Sequence, residues 1–572
     1  MVIPMNKIRL VSIFLILFMA GCSQQPDSIS ADVIFVGDNI ITMEDDAGVV
    51  TGVAILGDEI IDVGESASVM RLRGPETRVV ELGDRALLPG FVDSHGHFSF
   101  TARLIDFENL SSPPVGRVDN IGDIVELLTA RIAKDEMPAG EWLVGYGYDD
   151  SLLAENRHPT RDDLDAVSTE HPIIIMHVSG HLSVANSLAL RQSEITADTE
   201  DPPGGVIRRR DGSREPNGVL EESASSGLLI ARIGAIGDER FEVLTREAAK
   251  VYASYGITTA QDGAVTPTDF ALMKEIAAAE PYAIDIGTYP FVTALSDGAY
   301  GNFVPETEYE GGVRLVGIKF SLDGSPQGRT AWLTEPYTEG PPGAADDYVA
   351  YATIERDYYI ERVAELMARK IPLLVHANGD AAMDLMLDGV SEALQKTPNP
   401  DHRAVIIHAQ LMREDQVKRA AELGVVPSYF SAHTFFWGDW HRKSFGEERA
   451  QNISPTRWAT DYGLNFTVHN DAPVVPPNMM RLLWATVNRE TRSGHVIGPH
   501  QRLTVEEALY AITLGGAFQF FEEDRKGSLL VGKQADLVIL DENPLSVAPE
   551  ALDELQIMET FSRGRSVYRS ED

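Results

Sequence analysis

Six ionisable residues share one kind of position: each follows or closes a short apolar run. His95 and His97 close Gly90-Phe-Val-Asp-Ser-His-Gly-His97, Lys319 lies in Gly317-Ile-Lys-Phe320, and His376 follows Leu373-Leu-Val375. His408 follows Val405-Ile-Ile407, and Asp471 follows Val468-His-Asn470. Alternate side chains of an extended segment point to the same side, so both imidazoles of His95-Gly-His97 can face one ion. Imidazole and carboxylate are the ordinary donors of a divalent metal. A lone histidine after a strand is usually a packed or surface residue. Six such groups, each at the end of a strand in one parallel barrel, meet at the face where active sites are built.

The elements that must position them follow from the pattern of apolar runs. Strands are predicted at 87–92, 257–262, 283–289, 315–320, 371–375, 404–407, 425–429 and 465–469. Helical stretches with apolar positions three and four apart, such as 352–369 and 413–422, lie between them. This alternation predicts an α/β fold, a TIM-like (β/α)8 barrel over 87–521. The gap after the first strand is too long for one helix, so an insertion is expected at about 98–235. It carries its own strand at 173–178 and the run Pro202-Pro-Gly-Gly-Val-Ile-Arg208. Closely spaced short strands in 32–86 and again in 522–572 predict a small β-sandwich domain built from both chain ends.

The 572 residues are 44% hydrophobic and 24% charged, ordinary values for a globular chain. The net charge of −39 is not ordinary; it offers no basic patch to neutralise phosphates, so nucleic acid is excluded as a partner. Lys7 and Arg9, the apolar run 11–19 and the small residues Ala20-Gly21 before Cys22 have the order of an export signal. The segment resembles a bacterial lipoprotein signal, with Cys22 as the lipidated first residue of the mature chain and 23–31 as a polar tether. A plain cleaved signal and an uncleaved anchor are the alternatives. The expected location is outside the cytoplasm, lipid-anchored to a bacterial membrane on its periplasmic side or at the cell surface. Cys22 is the single cysteine, so no disulfide is expected in the body.

Longer motifs carry a resemblance. Leu88-Pro-Gly-Phe-Val-Asp-Ser-His-Gly-His97, the stretch from Gly317 to Ala331, His376-Ala-Asn-Gly-Asp380, Ile407-His-Ala-Gln410 and Asn470-Asp-Ala-Pro-Val474 resemble the amidohydrolase superfamily. With Ser179-Gly-His-Leu-Ser-Val-Ala-Asn186, Pro203-Gly-Gly-Val-Ile207 and Gly218-Val-Leu-Glu221 they are similar to its amidohydrolase-3 branch, which holds the YtcJ-like and N-substituted formamide deformylase-like proteins. The resemblance implies a zinc centre of one or two divalent ions. His95, His97 and Asp471 would hold the first ion, and His376 and His408 the second. Lys319, as a carbamate, would bridge them. Asp471 would also be the general base for a metal-activated hydroxide. A single ion is the alternative, with Lys319 outside its ligand set or paired with Asp323. His181, Asn186 and Arg329 are expected on the substrate side. The aromatic run His433-Thr-Phe-Phe-Trp437 with Trp440 is expected as a lid on the loop after strand seven. His469 departs from the small residue usual there and is read as a packed histidine.

The implied function is hydrolysis of a non-peptide C–N bond in a small amide, formamide or cyclic amide. A deaminase, an ester or carbamate hydrolase, and a non-catalytic tethered binding protein are the alternatives. The partners expected are that small molecule and, through lipid, a membrane; a homodimer is left open.

Overall fold

The computed structural model describes residues 29–44, 48–233, 236–296, 303–341 and 343–571. The predicted export signal, Cys22 and most of the tether lie outside the described residues. Among those described, no helix is long and apolar enough to cross a membrane.

Eight parallel strands form the centre of the chain: β1 (Phe91–Val92), β2 (Ile257–Val265), β3 (Asp285–Pro290), β4 (Ile318–Ser321), β5 (Leu373–Ala377), β6 (Val405–His408), β7 (Val426–Tyr429) and β8 (Thr467–Val468). They are paired in two parallel sheets. One runs β1-β2-β3 and adds Val313–Leu315 at its edge; the other runs β4-β5-β6-β7-β8. Beyond the ladders, Val292 N–H donates to the Lys319 carbonyl at 2.9 Å, linking β3 to β4. Past β1 and β8, Asp471 N–H donates to His95 O at 3.1 Å and His97 N–H to Ala472 O at 2.8 Å. Parallel strands covered on both faces must be apolar throughout, and β5 to β8 are wholly buried. Val92, Tyr289, Leu374, Val405, Ile407 and Val426 share one apolar cluster with Phe520. The helices after each strand pack on the outside in a larger cluster. One of them, Glu414–Leu423, begins with Glu414 and Asp415 at the positive end of its dipole and stops at Gly424, which is left-handed at φ 74°.

Two predicted strands are divided in the structure. The run 87–92 splits: Ala86–Pro89 pairs antiparallel with Leu537–Leu540, and only Phe91–Val92 joins β2. The chain changes sheets here because Gly90 N–H bonds Asp536 O while Phe91 N–H bonds Gly256 O, both at 2.9 Å. The run 315–320 crosses from one parallel sheet to the other in the same way. Val316 N–H bonds Thr288 O, and Ile318 N–H bonds Pro372 O.

The chain ends form two four-stranded sheets. Ala31–Val36, Gly52–Leu56, Glu59–Gly64 and Arg73–Glu81 make one; Ala86–Pro89, Leu537–Leu540, Ile557–Ser562 and Arg565–Arg569 make the other. Alternate residues Val33, Phe35, Val53 and Ile55 of the first share a core with Leu537, Ile539 and Phe561 of the second. Within 98–235 lies a six-stranded sheet, including Leu143–Tyr148, Ile173–His177, Leu182–Ala185 and Pro216–Glu222. Helix Phe98–Leu104 stays with the central body, where Phe98 packs 5.6 Å from the Tyr252 ring.

Candidate metal centre

His95 leaves the end of β1 with its Nδ1–H donated to Gln261 Oε1 of β2 at 2.5 Å. The amide of Gln261 is itself fixed, since Nε2–H donates to Ser94 O at 2.7 Å. That pair sets the tautomer and leaves the Nε2 lone pair of His95 free. It lies 3.4 Å from Asp471 Oδ1 and 3.2 Å from Lys319 Nζ. His97 Nε2 is 3.3 Å from the same Asp471 oxygen. Gly263 of β2 makes room for the ring: a Cβ there would stand 2.6 Å from His95 Cε1.

Asp471 is turned inward by a left-handed backbone, φ 57°, just past β8. Its Oδ1 is buried and has no hydrogen-bond partner. An orphaned carboxylate oxygen is costly in a protein interior unless a cation meets it. Two imidazole nitrogens converge on that oxygen, and the three ligand atoms of His95, His97 and Asp471 lie within 4.8 Å of one another. The donor set therefore fits a divalent ion.

On the far side of Asp471, His408 Nε2 is 4.0 Å from Oδ2 and 3.2 Å from His376 Nδ1. His376 Nε2–H donates to Gly324 O at 3.1 Å, so Nδ1 is its free nitrogen. His408 Nδ1 meets His469 Nε2 at 3.1 Å, and His469 Nδ1 meets Ser428 Oγ at 2.8 Å. When Ser428 accepts, each histidine of that chain donates from one nitrogen, and His408 Nε2 and His376 Nδ1 turn their lone pairs to one point. These are the two nitrogens expected to face a second ion. Burial first, then neighbouring cationic groups, hold His95, His376 and His408 well below the usual imidazole pKa. They are neutral, as ligands must be.

Lys319 is buried against this cluster. Burial lowers its amine to about 7, with Asp471 pulling the other way. It makes no ion pair with Asp323, contrary to one of the alternatives. The Asp323 oxygens instead accept from Trp332, Asn378 and Gly379 N–H at 3.0, 3.0 and 2.7 Å.

Of the three residues expected on the substrate side, the structure brings one to the ligands. The His181 ring lies 5.7 Å from that of His376. Burial works against its protonation, but Glu222, and beyond it Asp323 and Asp471, raise its pKa. Asn186 is instead a helix cap inside the inserted sheet. Its Oδ1 accepts from Ile173 and Ala189 N–H, and its Nδ2 donates to Ser168 and His171 carbonyls. Arg329 is likewise spent within the fold. It donates to Ser444 Oγ, Gly340 O and Glu339 Oε1 and lies 4.1 Å over the Trp440 ring. The expected aromatic lid is not a loop but helix His433–Phe445, largely buried, with Trp437 Nε1–H donated to Asp149 Oδ2 of the insertion at 2.7 Å. A pocket between this helix and the insertion is lined by Ser111, Val178, Phe436, Trp437, Val474 and Arg492.

Gln261, His469 and Glu222 belong to the site and were not singled out for it. Glu222 stands one residue past the run that ends at Glu221. Gln261 carries the plainest signal, an amide near the end of a buried strand. Replacing Gln261 by leucine leaves His95 Nδ1–H without an acceptor. Affinity for a divalent ion, with zinc as the probe, is expected to fall about 10- to 100-fold, read by chelator competition, with the far-UV spectrum unchanged.

Known proteins resemble this chain over most of its length. A family profile described as the amidohydrolase family, Amidohydro_3, matches residues 78–568. N-substituted formamide deformylase of Arthrobacter pascens is 27% identical over 550 residues, spanning 93% of this chain and 97% of its own. Putative amidohydrolase YtcJ of Bacillus subtilis is 26% identical over 86% of this chain and 91% of its own. An uncharacterized metal-dependent hydrolase of Pyrococcus furiosus superposes with a TM-score of 0.68 at 24% identity, over 90% of this chain and all of that one. With residues 78–568 inside the family profile, the chain belongs to the amidohydrolase family.

Proposed function

We propose that the eight parallel strands act as one (β/α)8 barrel and that the chain hydrolyses a non-peptide C–N bond of a small amide or formamide at a zinc centre. The observation that carries this is the convergence of His95 and His97 Nε2 on the orphaned Asp471 Oδ1. His95, His97 and Asp471 would hold one ion, and His376 and His408 a second. A divalent ion bound there supplies Lewis acidity toward a carbonyl and lowers the pKa of water. Histidine and carboxylate donors suit zinc.

The chain's own residues supply the rest. The Asp471 carboxylate takes the proton of the attacking water and passes it to the departing nitrogen. The C–N bond breaks with its electron pair on nitrogen, the amine leaves protonated, and the acyl carbon keeps the new oxygen. Lys319 is a suitable carbamate former, because burial brings its amine down to about 7 and so supplies the neutral, nucleophilic form near neutral pH. The deformylase relative supports formamides as the first class to try. Lipid attachment at Cys22 and an extracytoplasmic location rest on Lys7, Arg9, the apolar run 11–19 and Ala20-Gly21.

The test is amine release from N-phenylformamide, N-butylformamide and N-phenylacetamide, and ring opening of hydantoin to N-carbamoylglycine, with an ester and adenosine as controls. Hydrolysis of an amide, lost on chelation and restored by zinc, is the expected result. A purified protein without bound metal, or turnover indifferent to chelation, sinks the proposal; turnover of the ester or adenosine alone redirects it.

A further inference from the structure

We propose that the insertion delivers one substrate-contacting residue, His181, to the metal centre, and that Glu222 positions it so that His181 Nε2 hydrogen-bonds the substrate amide. The inference rests on the amide-hydrolase reading above.

His181 and Glu222 come from neighbouring antiparallel strands of the inserted sheet, at the strand ends nearest His376. His181 Nδ1 meets Glu222 Oε2 at 2.8 Å. A carboxylate only accepts, so Nδ1 carries the proton and the ring cannot turn without breaking that bond. Its Nε2 has no hydrogen-bond partner among the described residues, and the side chain is 23% exposed while Glu222 is 9% exposed. Every ligand-side histidine with a fixed neighbour is locked by one nitrogen and presents the other; His181 repeats that arrangement without joining the ligand set.

The pair is held from both sides. On the insertion side, Glu222 N–H donates to His181 O at 2.8 Å, and Glu222 is left-handed at φ 48°. Strain of that kind at a non-glycine residue persists only where surroundings impose it. His181 N–H donates to Ser179 Oγ at 3.2 Å, Ser179 Oγ meets His177 Nδ1 at 2.9 Å, and His177 Nε2 meets Asp150 Oδ1 at 3.0 Å. That chain ties the turn before His181 to the end of strand Leu143–Tyr148. On the barrel side is Gly324, in the loop after β4. A Cβ there would stand 2.8 Å from Glu222 Oε1, so the missing side chain is the seat of that carboxylate. The same residue's carbonyl accepts from His376 Nε2. One backbone position thus sets Glu222 and His376 together, and through Glu222 the height of His181 above the ligands.

Two residues acting through one contact must be non-additive. The experiment measures binding of acetohydroxamic acid, an amide analogue, to the zinc-loaded protein by calorimetry, with zinc content recorded for every variant. Relative to wild type, His181→Phe and Glu222→Leu are each expected to weaken binding about 10- to 100-fold without loss of zinc. Glu222→Gln keeps an acceptor for Nδ1–H and is expected within about 3-fold of wild type. Glu222→Leu added to His181→Phe is expected to cost nothing more. Wild-type affinity in His181→Phe, no binding to wild type, or an equal cost of Glu222→Leu in both backgrounds overturns the proposal. Absence of amide turnover by the wild type would count against the amide-hydrolase reading alone, since the calorimetric arms still decide His181.

Discussion

Asp471→Asn is expected to lower the turnover of any amide substrate by about 10²- to 10⁴-fold, the range a positioned general base supplies. Asparagine has the shape of aspartate, so the left-handed turn at φ 57° and the bond from its N–H to His95 O are kept. What changes is charge and basicity at one atom. Oδ1 faces His95 Nε2 at 3.4 Å and His97 Nε2 at 3.3 Å and has no donor of its own. An amide oxygen there is a weaker metal ligand and cannot take a proton at neutral pH. The ligand and base roles are separated by measuring zinc content beside kcat. Lost zinc with lost turnover assigns the ligand role; retained zinc with lost turnover assigns the base. Turnover at the wild-type rate with zinc retained would remove Asp471 from the mechanism.

The second large effect is on stability and lies at the opposite ends of the strands. Asp285 opens β3 and is 1% exposed; Lys526 Nζ lies 2.5 Å from its Oδ2 and Arg563 Nη2 2.8 Å from the same oxygen. Burial opposes ionisation of Asp285, but Lys526 and Arg563 hold it below the usual carboxylate range. Lys526 precedes the C-terminal sheet and Arg563 sits in its last turn, between Ile557–Ser562 and Arg565–Arg569. The carboxylate therefore fastens the sheet from the chain end to the parallel strands. Removing one partner of a buried pair leaves the other uncompensated, at about 3–5 kcal/mol. Asp285→Asn is expected to lower the melting temperature of the metal-free protein by about 3–10 °C, with zinc stoichiometry unchanged. A melt within 1 °C of wild type would show that Glu522, 3.3 Å from Lys526, suffices alone.

The positions of His95, His97, Lys319, His376, His408 and Asp471 were legible because the signal is local. A short apolar run followed by a donor marks a strand end, and parallel strands bring equivalent ends together. Where the chain switches sheets, local pattern failed. The runs 87–92 and 315–320 each read as one strand, yet each serves two sheets, because the partners that divide them lie far along the chain.

The same limit applies inside the site. Asn186 and Arg329 sit in motifs that imply a substrate contact, but partners elsewhere in the fold use up their polar atoms. His469 reads as a packed histidine and is one, yet its packing orients His408, 61 residues away. His95 is fixed by Gln261, 166 residues away. By itself, then, the sequence determined which donors exist and at which strand ends they stand. The tertiary structure decided which nitrogen of each histidine faces the centre, and that Glu222 holds His181. Periodicity is a property of neighbours in the chain, whereas a tautomer is set by whichever hydrogen-bond partner the fold brings near.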